Sequence, residues 1–146
     1  MADIYNTTSN TIITGTAEAD NIFNMAADNV TIFAEDGNDR VTSQMISIDS
    51  ETGSVSIEKN SVYIVAGNGE DTILNFGAYA TIDAGDGNDY IAASYISDEG
   101  SVTVSGGAGN DTVLCGMGNG IAFINGDSIG TTGHKRHTVY GGTGDD

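Results

Sequence analysis

Aliphatic residues recur along this chain in pairs nine positions apart: Ile13 with Ile22, Ile32 with Val41, Ile64 with Ile73, Ile82 with Ile91, and Val104 with Val113. Around the first member of each pair the pattern alternates. The preceding residue is usually threonine (Thr31, Thr81, Thr103, Thr138), which suits the outward side of a strand whose aliphatic neighbour faces inward. Isoleucine, valine and threonine recur throughout, leucine occurs only at Leu74 and Leu114, and no segment shows helical apolar spacing. The pattern predicts an all-β chain in which each pair marks two strands feeding one interior.

What lies between the paired aliphatics is also repeated. The blocks read GTAEADNI (15–22), AEDGNDRV (34–41), AGNGEDTI (66–73), AGDGNDYI (84–91), GGAGNDTV (106–113) and an incomplete GGTGDD (141–146). Each is a corner: Gly or Ala, four turn residues, then an aspartate two positions before the next aliphatic. The block aspartates fall at 20, 39, 71, 89, 111 and 146, in steps of 19, 32, 18, 22 and 35. Steps near 18 are too long for a hairpin and match one coil of a small β-solenoid with two strands and two turns. The two long steps are close to two coils, or to one coil with an excursion. For residues 42–61, with alternating runs on both sides of SETG, a hairpin-like excursion is the expectation. Residues 116–136 hold the second irregular coil, with GMGNGIA as a degenerate turn on the opposite edge; MAADNV (25–30) is another candidate.

At 146 residues the chain suits one domain, and 38% hydrophobic residues favour a packed fold over disorder. Four Lys and Arg against 21 Asp and Glu give a formal net charge of -17. Such a surface repels nucleic acid and anionic membranes, so a cation is the natural partner. A lone cysteine, Cys115, excludes an internal disulfide framework and suits a small core side chain. The N-terminal MADIYNTTSN lacks the basic start and apolar core of a signal peptide, and no apolar run approaches a membrane span.

Glycines in the blocks permit positive φ and let carbonyls point into the corner, and the last aspartate adds a carboxylate beside them. Backbone oxygens and carboxylates from two stacked turns make an oxygen-only cage, which suits calcium. Zinc or copper would want His or Cys, and the blocks contain neither. An EF-hand loop fails for want of alternating Asp/Asn and a Glu at the twelfth place. A phosphate loop fails because no GK[ST] follows the glycines.

These blocks resemble the nonapeptide of the RTX (repeats-in-toxin, hemolysin-type calcium-binding) family, G-G-x-G-x-D-x-U-x, with GGAGNDTVL (106–114) and AGDGNDYIA (84–92) nearest to it. The resemblance implies a right-handed parallel β-roll with coils of about 18–22 residues and Ca²⁺ between successive turns, held by turn carbonyls and the sixth-place aspartate. Carried over by position, the carboxylates are Asp20, Asp39, Asp71, Asp89, Asp111 and Asp146. Backbone ligands would come from Ala66, Gly67, Asn68 and Gly69; from Ala84, Gly85, Asp86 and Gly87; and from Gly106, Gly107, Ala108 and Gly109. Asp36 and Asp86 stand at the third place, where side chains face solvent.

The chain departs from the family in carrying the motif mainly on one edge, so one main row of about three to five ions is expected. Glu18 and Ala19 replace the usual Gly and Asn in the first block, which makes its site the weakest complete one. Asp71 with Asp89 and Asp89 with Asp111 are the best pairs, followed by Asp20 with Asp39. The resemblance further implies type I secretion, calcium-driven folding outside the cell and, since residue 146 falls inside a block, a piece of a longer repeat protein whose other repeats would be partners.

The function expected is therefore a noncatalytic calcium-binding structural module of a secreted or cell-surface protein. Its rivals are a polysaccharide-active enzyme or carbohydrate-binding module on a β-solenoid, and an adhesin. The one candidate cluster for the enzyme is His134, Lys135, Arg136 and His137, better read as a solvated loop. An adhesin using the outward threonines needs a regular array, which Tyr63 and the irregular coils break.

Overall fold

The computed structural model describes residues 1–44, 46–48, 51–53, 55–57, 61–93, 101–115, 121–125, 128–131 and 137–140. Its strands are β1 (Asp3–Asn6), β2 (Ile12–Thr14), β3 (Asn21–Met25), β4 (Val30–Phe33), β5 (Arg40–Gln44), β6 (Ile46–Ile48), β7 (Val55–Ile57) and β8 (Ser61–Asn68). They continue as β9 (Thr72–Asn75), β10 (Tyr79–Asp86), β11 (Tyr90–Ala93), β12 (Ser101–Ser105), β13 (Thr112–Cys115), β14 (Ile121–Asn125), β15 (Ser128–Thr131) and β16 (His137–Tyr140). No helix occurs among the described residues.

The chain winds between two parallel sheets of seven strands each. One has the order β1-β3-β5-β9-β11-β13-β15, and the other β2-β4-β8-β10-β12-β14-β16. Two columns of rungs pair aliphatic with aliphatic. Ile4, Ile22, Val41, Ile73, Ile91, Val113 and Ile129 share one column of the first sheet. Ile13, Ile32, Ile64, Ile82, Val104, Ile124 and Val139 share one column of the second. From Ile13 to Val113, every member of these columns is buried. Burying one such side chain stabilises by about 2 kcal/mol, and each coil supplies two of them on facing strands. This is a parallel β-solenoid whose core is a stack of β-branched pairs.

Between β5 and β9 the first sheet does not lose its step. The two strands pair directly, Val41 opposite Ile73, while β6 and β7 form an antiparallel pair outside both sheets. After β13 the coils continue: β14 joins β12 and β15 joins β13 in register. The segment GMGNG lies outside the described residues.

In the coils from β1 to β9, the edge away from the Gly/Asp blocks is finished by buried amides and one hydroxyl. Asn6, Asn24, Ser43 and Asn75 occupy one rung column at the ends of their strands and are all buried. The Asn6 amide donates to Asn24 Oδ1 at 2.8 Å, Asn24 donates to Ala27 O at 3.3 Å, and the N–H of Gly77 donates to Asn75 Oδ1 at 3.2 Å. Residues 26–29 make the turn there, with Ala26 and Asn29 at positive φ. On the outer face of the first sheet the Tyr5 and Phe23 rings stack, centroids 5.0 Å apart, at one end of a shallow groove that Arg40, Thr42, Leu74 and Phe76 continue.

Candidate metal centre

Four blocks lie directly over one another. Gly67 pairs with Gly85 and Asn68 with Asp86, while bridges link Asp36 to Asn68 and Asp86 to Ala108. The third-place carbonyls tie turn to turn: Gly37 N–H donates to Asn68 O, Gly69 N–H to Asp86 O, and Gly87 N–H to Ala108 O, at 2.7–2.8 Å. Glycine is required by this closeness as much as by conformation. A Cβ on Gly85 would stand 1.9 Å from Gly67 O, and one on Gly87 1.8 Å from Gly69 O, and both residues have positive φ. The fifth-place side chains make an outer ladder, with Asn38 Oδ1 accepting from Glu70 N–H and Asn88 Oδ1 from Asn110 N–H.

Inside the corner the sixth-place aspartates form a buried column. Each carboxylate reaches back one rung. Asp39 Oδ1 accepts the N–H of Asp20 at 2.7 Å, Asp71 that of Asp39 at 2.7 Å, Asp89 that of Asp71 at 2.8 Å, and Asp111 that of Asp89 at 3.0 Å. The second oxygen of each, Oδ2 of Asp39, Asp71, Asp89 and Asp111, is buried without a hydrogen-bond partner. A lone buried acceptor costs about 1–3 kcal/mol, and more when it is charged.

The electrostatics follow from that burial. Desolvation pushes the Asp89 carboxyl up to about 7; the Asp71 N–H opposes this, and the Asp71, Asp111 and Asp86 carboxylates reinforce it. Asp39 is pushed up to about 6 by burial, against the hydrogen bond from Asp20 and with help from Asp71 and Asp20. Asp71 is raised by burial, the Asp39 N–H opposing. Asp20 differs in sign. Burial pushes it up, but hydrogen bonds from Ala2 and Thr16 outweigh the burial and hold it below the usual value.

A column of anionic oxygens lined by glycine-rich backbone and short of hydrogen-bond donors fits a hard divalent cation. The orphaned Oδ2 atoms of Asp39, Asp71, Asp89 and Asp111 are the groups that would hold it. Among the described residues no three His, Cys, Asp or Glu side chains converge on one point, so a side-chain cage of the zinc kind is not what the corner offers.

The model of the RTX calcium-binding nonapeptide repeat matches the chain in four copies, over residues 26–43, 81–94 and 96–122. The chain carries repeats of the RTX calcium-binding type, and its fold fits a divergent RTX β-roll. Its two parallel sheets and stacked coils fit the right-handed roll of that family. Asp39, Asp89 and Asp111 fall inside the matched segments, and the blocks ending in Asp20 and Asp71 fall outside them. No curated protein and no solved structure matched the chain.

Of the residues singled out in the sequence, this β-solenoid brings together Ala66, Gly67, Asn68, Gly69 and Asp71; Ala84 to Gly87 with Asp89; and Gly106 to Gly109 with Asp111. Asp20 stands one rung from Asp39. Asp36 and Asp86 are exposed. Asp146 lies outside the described residues, as do His134, Lys135 and Arg136, while His137 opens β16. Sequence reasoning missed two things: the use of each Oδ1 as an inter-coil acceptor, and Thr16, whose N–H and hydroxyl both donate to Asp20 Oδ2. The Thr16–x–x–x–Asp20 spacing inside the block carried the second signal.

Proposed function

We propose that this RTX β-roll is a noncatalytic calcium-binding structural module, one that becomes fully ordered only when calcium enters the aspartate column. The observation that carries the reading is the row of four stacked, buried aspartate oxygens with no protein donor, at Asp39, Asp71, Asp89 and Asp111. RTX repeats in general bind calcium. The rung spacing of about 4.8 Å would bring neighbouring carboxylates close enough to repel by about 3 kcal/mol per pair at an effective dielectric of about 20. A divalent ion between turns turns that repulsion into attraction. The backbone oxygens of residues 66–69, 84–87 and 106–109 complete the donor set.

RTX repeat proteins are typically exported by type I systems, and a fold that waits for millimolar calcium suits passage of an unfolded chain. We therefore infer that the protein works outside the cell or on its surface, with calcium as its partner. The test is circular dichroism of the chain during a calcium titration, with magnesium and EDTA as controls. β-structure should rise cooperatively with calcium at about 0.1–1 mM and respond little to magnesium. Equal β-structure in EDTA and in millimolar calcium would sink the folding claim.

A further inference from the structure

The five buried block aspartates differ at one atom. In Asp39, Asp71, Asp89 and Asp111 the inner oxygen Oδ2 has no partner. In Asp20 the same oxygen accepts the Thr16 N–H at 2.7 Å and the Thr16 hydroxyl at 2.8 Å, while Oδ1 accepts the Ala2 N–H at 2.6 Å. Thr16 stands at the second place of its block. Gly67, Gly85 and Gly107 fill that place in later blocks and Glu35 fills it in the second, all four at positive φ. Thr16 is not among the positive-φ residues, so this turn follows another backbone path. At the fourth place, where the other turns have Gly37, Gly69, Gly87 and Gly109, it has Glu18.

We propose that the turn of residues 15–20 is a metal-free cap on the column, in which Thr16 does for Asp20 what a cation does for the others. Three donors satisfy this carboxylate. An ion placed there would have to displace both Thr16 bonds, and on its outer side it would meet Ala2, which stands one rung out from Asp20 and brings no carboxylate. The row of ions accordingly begins at Asp39. The first corner holds its shape without calcium and gives the later coils a preformed rung to stack on, because the Asp20 N–H is already presented to Asp39 Oδ1.

This inference rests on the calcium reading above, and the experiment separates the two. Calcium stoichiometry is measured by equilibrium dialysis of the full chain, for wild type, Asp20→Asn and Asp89→Asn. Amide exchange of residues 15–22 is followed in EDTA for wild type and Thr16→Val. Asp20→Asn should bind as many ions as wild type with a midpoint within about twofold, whereas Asp89→Asn should lose at least one ion. Residues 15–22 should be protected in EDTA, and Thr16→Val should lose about tenfold or more of that protection. If Asp20→Asn releases an ion as Asp89→Asn does, the cap is wrong and the calcium reading stands. If no form binds calcium, the calcium reading fails. In that case unchanged protection in Thr16→Val overturns the cap on its own.

Discussion

Asp89 is the middle of the column, and replacing it with asparagine should help or harm according to the calcium present. Asparagine keeps the Oδ1 that accepts the Asp71 N–H at 2.8 Å, removes the charge and puts an NH2 donor in place of the orphaned Oδ2. Without calcium, a carboxyl that titrates at about 7 in the fold and about 3.9 in the open chain opposes folding above pH 7. The unscreened cost is about 4 kcal/mol; with solvent lapping the edge, on the order of 2 kcal/mol remains. In EDTA at pH 8, Asp89→Asn should therefore be the more stable form by roughly that amount. With calcium, each site of Kd about 0.1 mM adds roughly 1.4 kcal/mol at about 1 mM and roughly 2.7 kcal/mol at about 10 mM. If Asp89 serves the ion on either side, wild type gains about 5 kcal/mol at 10 mM against the 2 it loses. The order of stability should cross at about 0.5 mM calcium. Urea melts of both forms in EDTA and at about 0.3, 1 and 10 mM calcium measure it, the first two concentrations bracketing the crossing. A variant less stable than wild type even in EDTA, or an order that ignores calcium, would refute the account of the column as an unneutralised charge.

Three further outcomes follow from the same geometry. In EDTA the melting temperature should fall as pH rises from about 4 to about 7. Asp39, at about 6, and Asp89, at about 7, hold their protons longer in the fold than in the open chain, so the folded state binds more protons across that window. Millimolar calcium should flatten or reverse that slope, which thermal melts at fixed calcium check. Gly87→Ala forces a methyl to within 1.8 Å of Gly69 O at a φ of 145°, and should cost about 3 kcal/mol or more with or without calcium, measured by denaturant unfolding. Ile73→Ala empties a fully buried core position, and should cost about 2–5 kcal/mol while leaving calcium stoichiometry per folded molecule unchanged, measured by melts and dialysis together.

The corners and the core were legible because they obey one rule in the sequence. Ile64 and Ile73, or Val104 and Val113, stand nine apart around a Gly/Asp block, and the fold buries each such pair on facing strands. The opposite edge was not legible in the same way. Asn6, Asn24 and Asn75 look like loop residues by polarity, yet each stands two places after an inward-facing isoleucine, the half-buried Ile4 or the fully buried Ile22 or Ile73, and so faces inward near a strand end. Their amides satisfy one another and the turn backbone, which polarity alone does not reveal. The Asp20–Asp39 pair was ranked by what was missing from the first block, Gly and Asn. Ranking it by what Thr16 supplies required knowing that a threonine backbone at that place lets its hydroxyl reach the carboxylate.

The two edges solve one problem in opposite ways, and the contrast bears on why the aspartates are there. On the far edge, at Asn6, Asn24 and Asn75, neutral side chains with donors and acceptors of their own close the strand ends by bonding one another and the turn backbone. An asparagine at 39, 71, 89 or 111 could accept the same inter-coil N–H through Oδ1, so the ladder of hydrogen bonds does not require a charge. Aspartate at these places adds repulsion of about 3 kcal/mol between neighbours and a buried acceptor at every rung. Nothing within the coil recovers that cost. A core of two aliphatics per coil, worth about 4 kcal/mol before chain entropy, leaves little margin to absorb it. On the calcium reading proposed above, charge on this edge would make folding conditional on a cation, and the proposed cap would confine that condition to the coils after Thr16.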